Sequence, residues 1–187
     1  MKFDGREFAN KITADLKQQI KLLKRRPKLV TIYNSEHEGS RVYTNIKAKK
    51  AAELGVDFQI INSKSEIANK SQIQNLNNDP GVNGIMIQMP FPSGDELIPL
   101  IDPSKDVDGL REDSPYQPAV VRAVMEILGH SLKESPFKAE RILLVGSKGF
   151  VGRRLMRELP NAIGMDKDDF NPEKLKTADI IISATGQ

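Results

Sequence analysis

The stretch Arg141-Ile-Leu-Leu-Val145-Gly146-Ser-Lys-Gly149-Phe-Val-Gly152 decides the fold class. An apolar run of strand length ends in three closely spaced glycines, and a helix-compatible segment follows to about Leu159. Strand, glycine turn and helix form the arrangement that cradles a pyrophosphate at a helix N-terminus. In that role Gly146 permits the tight turn, Gly149 lets the backbone approach phosphate, and Gly152 packs helix on strand. The spacing is G-x-x-G-x-x-G, not G-x-G-x-x-G, and any tight βα turn could carry these glycines. In dinucleotide folds an acidic residue about 20 positions on holds the ribose 2′-hydroxyl of NAD. Asp166 stands there, with Asp168 as a second candidate. A carboxylate repels a 2′-phosphate, whereas Lys148 and Lys167 attract one, so NAD is only slightly favoured over NADP.

Moving toward the N-terminus, helical and strand-like segments alternate. A helix over about 5–25 precedes Leu29-Val-Thr-Ile-Tyr33, a second helix precedes Val56-Asp-Phe-Gln-Ile-Ile61, and a polar helix over about 65–77 follows. Asp79-Pro-Gly81 turns the chain into Gly84-Ile-Met-Ile-Gln-Met89, which Pro90 and Pro92 end. Such alternation implies parallel strands joined by right-handed crossovers. Pro118 suits the first position of a helix running to about Leu128, with Gly129 as its stop, and 130–139 reads as a linker. Asn161-Ala-Ile-Gly-Met165 and Asp179-Ile-Ile-Ile-Ser183 complete the set. The expected fold is α/β with two domains: a parallel three-layer α/β catalytic domain over 1–129, and an incomplete Rossmann-like nucleotide-binding domain over 130–187.

Composition narrows the chemistry. The chain has 187 residues, no cysteine, and two histidines, His37 and His130, far apart. Disulfides, thiol nucleophiles and cysteine metal sites are excluded, and a histidine metal cluster or a Ser-His-Asp triad is not expected. A net charge of +3 is mild. The basic run from Lys17 to Lys28 shares its helix with Ile12, Leu16, Ile20 and Leu23 and lacks interleaved aromatics, so no nucleic-acid partner is expected. No apolar run reaches membrane-spanning length, and Met1-Lys-Phe-Asp-Gly-Arg-Glu7 has no apolar signal core. A cytoplasmic protein with no membrane partner is the expectation.

The second helix carries reactive groups. In Ser40-Arg-Val-Tyr43-Thr-Asn-Ile-Lys47, a phenol and an amine lie one turn apart and share a face. Ser40 as N-cap and Gly55 as C-terminal stop frame a helix over about 41–54. The face continues through Ala51 and Leu54, an apolar stripe expected to turn inward. An inward Lys47 would have its pKa lowered by burial and by Lys50 one turn on, making it a base near neutral pH. The other reading is a lysine that snorkels to water past a packed tyrosine. Gln88, a polar amide near the carboxyl end of an apolar strand, lies where open α/β sheets bind ligands.

Taken in order, these landmarks resemble the bifunctional methylenetetrahydrofolate dehydrogenase/methenyltetrahydrofolate cyclohydrolases. Phe3-Asp-Gly5, Ser40-x-x-Tyr43-x-x-x-Lys47 and Gly84-Ile-Met-Ile-Gln88-Met-Pro-Phe-Pro92 carry the likeness, with Lys105-Asp-Val-Asp108-Gly109, Pro115-Tyr-Gln-Pro118, Val145 to Gly152 and Ala178 to Gly186. The resemblance implies one-carbon folate metabolism: oxidation of methylenetetrahydrofolate with NADP or NAD, then hydrolysis to 10-formyltetrahydrofolate, in a folate cleft between the domains. It makes Lys47 the catalytic base or acid and Gln88 its hydrogen-bonding partner. It puts Tyr43 against the folate, Ser40 and Pro115 among the substrate-binding residues, and Asp108 at the pterin end. Gly146, Ser147, Lys148, Gly149, Gly152 and Asp166 would bind the dinucleotide, no metal is implied, and a homodimer is.

The chain also departs from the family. Ser147 replaces the usual arginine and Lys148 the usual serine, which puts the 2′-phosphate contacts in doubt. The segment from Gly109 to Pro115 is short, and Pro-Cys-Thr-Pro has become Pro115-Tyr-Gln-Pro118. Relatives continue beyond the position of Gln187, so a short or C-terminally truncated member is expected. A Tyr-x-x-x-Lys pair also serves short-chain dehydrogenases, but there it follows the glycine turn. The alternative from another class is a non-catalytic folate- or nucleotide-binding remnant acting as an interaction module.

Overall fold

The computed structural model describes residues 3–63, 66–134 and 141–185. The chain divides into two compact units, Met1–Gln117 and Pro118–Gln187.

In the first unit, α1 (Gly5–Lys21) is followed by β1 (Lys28–Tyr33), α2 (Glu38–Leu54), β2 (Asp57–Asn62), α3 (Glu66–Asn78), β3 (Gly84–Ile87) and the single turn α4 (Gly94–Leu97). The strands form a parallel sheet in the order β2-β1-β3, with Thr31 paired to Ile60 on one side and Met86 on the other. Alternation along a strand sends Val30, Ile32, Ile85 and Ile87 to one face, where they meet Ile73 of α3 with Phe91, Leu97 and Ile101. Met86 points the opposite way, toward α2, where its sulfur lies 3.9 Å from Lys47 Nζ. Helices therefore cover both faces, as a parallel sheet requires, and the three-layer expectation holds.

In the second unit, α5 (Ala119–Glu134), β4 (Ile142–Val145), α6 (Phe150–Glu158), β5 (Ile163–Met165), α7 (Pro172–Thr177) and β6 (Ile180–Ser183) build a parallel sheet in the order β5-β4-β6. Leu144, Leu155 and Val121 form its core with Val124, Met125 and Ile182 packed around them. Two readings change here. The helix beginning at Ala119 runs through Gly129 to Glu134, so Gly129 is not a stop and 130–134 are not linker. The division between units falls before that helix, because Val121 and its neighbours pack with β4 and α6. Residues 135–140 lie outside the described residues.

Candidate functional site

Helix α2 begins earlier than its capping pattern suggests. His37 is the N-cap, its Nδ1 accepting from the backbone N–H of Ser40 at 3.3 Å, while Gly55 closes the helix at φ +79° as expected. Ser40 thus sits inside the first turn, wholly buried, and its hydroxyl donates to the Pro90 carbonyl at 3.2 Å. That bond ties α2 to the segment after β3, which contains a cis Met89–Pro90 peptide. The inward stripe of α2 consists of Ser40, Thr44 and Ala51, small residues that let the helix approach the sheet. Tyr43 is turned out of that stripe and is 61% exposed. The expected inward row of Tyr43, Lys47, Ala51 and Leu54 is corrected accordingly: among these only Ala51 is buried.

Lys47 is neither solitary nor sealed in. Its Nζ lies 3.0 Å from Asp108 Oδ2, with the two side chains 32% and 23% exposed. Lys50 turns elsewhere, to Glu53 at 2.6 Å and Thr13 Oγ1 at 3.4 Å, so it does not press on Lys47 as its spacing suggests. Gln88 follows β3 directly, its N–H donating to Ile32 O at 2.9 Å. The side-chain Nε2 donates to the Met89 carbonyl at 2.9 Å, while Oε1 is buried without a partner among the described residues. The expected Gln88–Lys47 hydrogen bond is therefore absent, because the amide is turned to its own backbone. A buried acceptor without a donor costs about 1–3 kcal/mol, which marks Oε1 as a place for an incoming donor.

The loop that delivers Asp108 is tightly built. Asp106 is fully buried and accepts from the backbone N–H of Leu110 at 3.2 Å and of Arg111 at 2.9 Å. Gly109 supplies the left-handed residue at φ +65°. Lys105 Nζ donates to three carbonyls at the end of α3, Leu76, Asn77 and Asp79, at 2.7–2.9 Å. The Arg111 guanidinium grips Asp113 and reaches the carbonyls of Pro99 and Ile101. With Asp106 turned in, Asp108 faces Lys47. Pro115 lies exposed further along the same loop.

In the second unit, the glycine turn follows β4. Gly146 has φ +85°, and a Cβ there would come within 2.8 Å of the Ala184 carbonyl oxygen. A Cβ on Gly152 would strike the Gly146 carbonyl, so this glycine is required for α6 to approach the turn. Gly149 is the N-cap of α6 and makes no side-chain cap. A Cβ on it would meet ordinary contacts at 3.4 Å and beyond, so packing does not demand glycine there. A bare backbone at a helix N-terminus is what close approach of phosphate needs, and these residues fit a dinucleotide. Asp166, after β5, accepts from Ser147 Oγ and from the Lys148 N–H at 3.2 Å. The Ser147 hydroxyl, with the N–H and charge of Lys148, holds the Asp166 carboxyl below its ordinary value. Lys148 Nζ lies 3.5 Å from Asp168.

Residues 3–108 match the model of the tetrahydrofolate dehydrogenase/cyclohydrolase catalytic domain. The chain is 30% identical to the bifunctional protein FolD of Lactobacillus helveticus, over 98% of this chain and 73% of that protein. The chain belongs to the tetrahydrofolate dehydrogenase/cyclohydrolase family. Its fold superposes on the bifunctional methylenetetrahydrofolate dehydrogenase/cyclohydrolase of Campylobacter jejuni with a TM-score of 0.87 at 25% identity, covering 98% of this chain and 73% of the other. The Trypanosoma brucei enzyme, solved with NADP and an inhibitor, gives 0.87 at 25% identity, covering 100% and 72%.

Within the tetrahydrofolate dehydrogenase/cyclohydrolase frame, the first unit brings Lys47 and Asp108 together, with Tyr43 one turn away on α2. Met86 was not anticipated beside Lys47; its alternation with Ile85 and Ile87 was the available signal. Gly164 was also missed. A Cβ there would come within 2.7 Å of Ser147 Oγ, and a glycine inside a strand is the sign of such close approach.

Proposed function

We propose that this chain oxidises 5,10-methylenetetrahydrofolate to the 5,10-methenyl cation with a nicotinamide dinucleotide and hydrolyses that cation to 10-formyltetrahydrofolate. The Lys47–Asp108 pair at 3.0 Å, one turn from the exposed Tyr43, carries this reading. The dinucleotide, when bound, supplies the hydride acceptor. Gly146, Ser147, Lys148, Gly149, Gly152 and Asp166 would hold it.

Hydrolysis is proton management. Water adds to the methenyl carbon, the bond from that carbon to N5 breaks, and both water protons must leave the oxygen. One ends on N5 and the other goes to solvent. An amine can accept the first from the attacking water and return it to N5, which suits Lys47. Asp108 would steady the ammonium form between the two transfers. The unpartnered Gln88 Oε1 offers an acceptor to a substrate N–H or to Lys47 itself. The Tyr43 ring gives the folate an exposed surface to stack on, and Ser40, already bound to Pro90, would position α2. Pro115 would line the substrate side of the loop after Asp108.

Lys47→Met is expected to lower methenyltetrahydrofolate hydrolysis, followed by loss of absorbance, by about 10²-fold or more with the circular dichroism spectrum unchanged. Undiminished turnover would remove Lys47 from the mechanism. The family resemblance also supports a homodimer, and sedimentation velocity showing only protomers at tens of micromolar would exclude it.

A further inference from the structure

We propose that a Ser147–Asp166 lock makes the dinucleotide site of this chain selective for NAD, closing it to the 2′-phosphate of NADP. The inference deepens the dehydrogenase reading above and rests on it. A phosphate monoester needs donors and positive charge at the turn between β4 and α6. Here those donors already end on a carboxylate. Ser147 Oγ bonds Asp166 Oδ2, and the Lys148 N–H lies 3.2 Å from both Asp166 oxygens. The Lys148 ammonium is itself drawn toward Asp168 at 3.5 Å. An arriving 2′-phosphate would therefore meet two carboxylates and spent donors. A ribose 2′-hydroxyl, by contrast, can donate into the Asp166 carboxylate.

The lock is built into the strand beside it. The backbone N–H of Asp166 donates to Asp169 Oδ1 at 2.6 Å, fixing the residue at the end of β5. Gly164, two residues earlier, leaves the space that Ser147 fills: a Cβ there would lie 2.7 Å from Ser147 Oγ and 2.9 Å from its Cβ. Serine in the turn and glycine in the strand are thus a fitted pair. Asp166 would touch the cofactor, and Ser147 is a positioning residue that aims it.

The test is isothermal titration of the full chain with NAD⁺ and with NADP⁺. The unaltered protein is expected to bind NAD⁺ about tenfold tighter or more. Asp166→Asn should bring the two affinities within about threefold, mainly by tightening NADP⁺. Ser147→Ala, which keeps the carboxylate but loosens its aim, should move the ratio the same way by less. Equal or tighter binding of NADP⁺ by the unaltered chain overturns the lock and leaves the folate reading standing. A ratio unmoved by both substitutions does the same. If neither nucleotide binds while methenyltetrahydrofolate hydrolysis persists, the lock and the dehydrogenase half of the proposed function fall together.

Discussion

Asp166 gives the second unit a pH signature. Its carboxyl lies below the ordinary 3.8, chiefly because the Ser147 hydroxyl bonds its charged form, with the Lys148 N–H and charge adding to this. A carboxyl depressed on folding stabilises the fold above its unfolded value, and the contribution fades as pH falls through the lower folded value. Carbon-detected NMR should place the Asp166 midpoint under 3.8, with the turn after β4 tight at neutral pH and loosening only in stronger acid. A midpoint at or above 3.8 would contradict the bonding described. At this scale the sequence singled out Asp166 as a candidate by its offset from the glycine turn and Lys47 by its place one helical turn after Tyr43. The partner of Lys47 was not legible there. The resemblance gave Gln88 as that partner and put Asp108 at the pterin end, whereas Asp106 faces inward to hold Leu110 and Arg111, which leaves Asp108 toward the amine.

At the scale of elements, α2 depends on an unusual cap. The His37 Nδ1 accepts from Ser40 N–H where serine, threonine or aspartate is commoner. His37→Ala should cost about 1 kcal/mol in urea unfolding of the first unit, and His37→Asp should restore it. A null effect for alanine would mean the cap contributes nothing. The pattern of Ser40 before an apolar run concealed this, since serine is itself a preferred cap and its burial against Pro90 depends on chain that lies fifty residues away. Strands were easier to read. β1, β3, β4 and β6 are short apolar runs bounded by turn residues; the last three lie within the expected ranges and β1 begins one residue earlier, at Lys28. The helix α7, Pro172–Thr177, escaped because six residues are too few to show a period.

Taken whole, the molecule keeps a core in each unit, one around Ile32, Ile87 and Leu97 and one around Leu144 and Leu155. The alternating order of strands and helices was sufficient to foresee both sheets, since parallel pairing needs such crossovers. The line between units was not foreseen, because a helix can belong to either neighbour and only its packing decides. Lys105 has a larger consequence than its distance from any reacting atom suggests. By gripping Leu76, Asn77 and Asp79, it fastens the loop bearing Asp108 to the far end of α3. The ordering entropy of that loop is then lost when the chain folds and not when a ligand arrives, so at the proposed site the Lys47–Asp108 pair would meet folate already assembled.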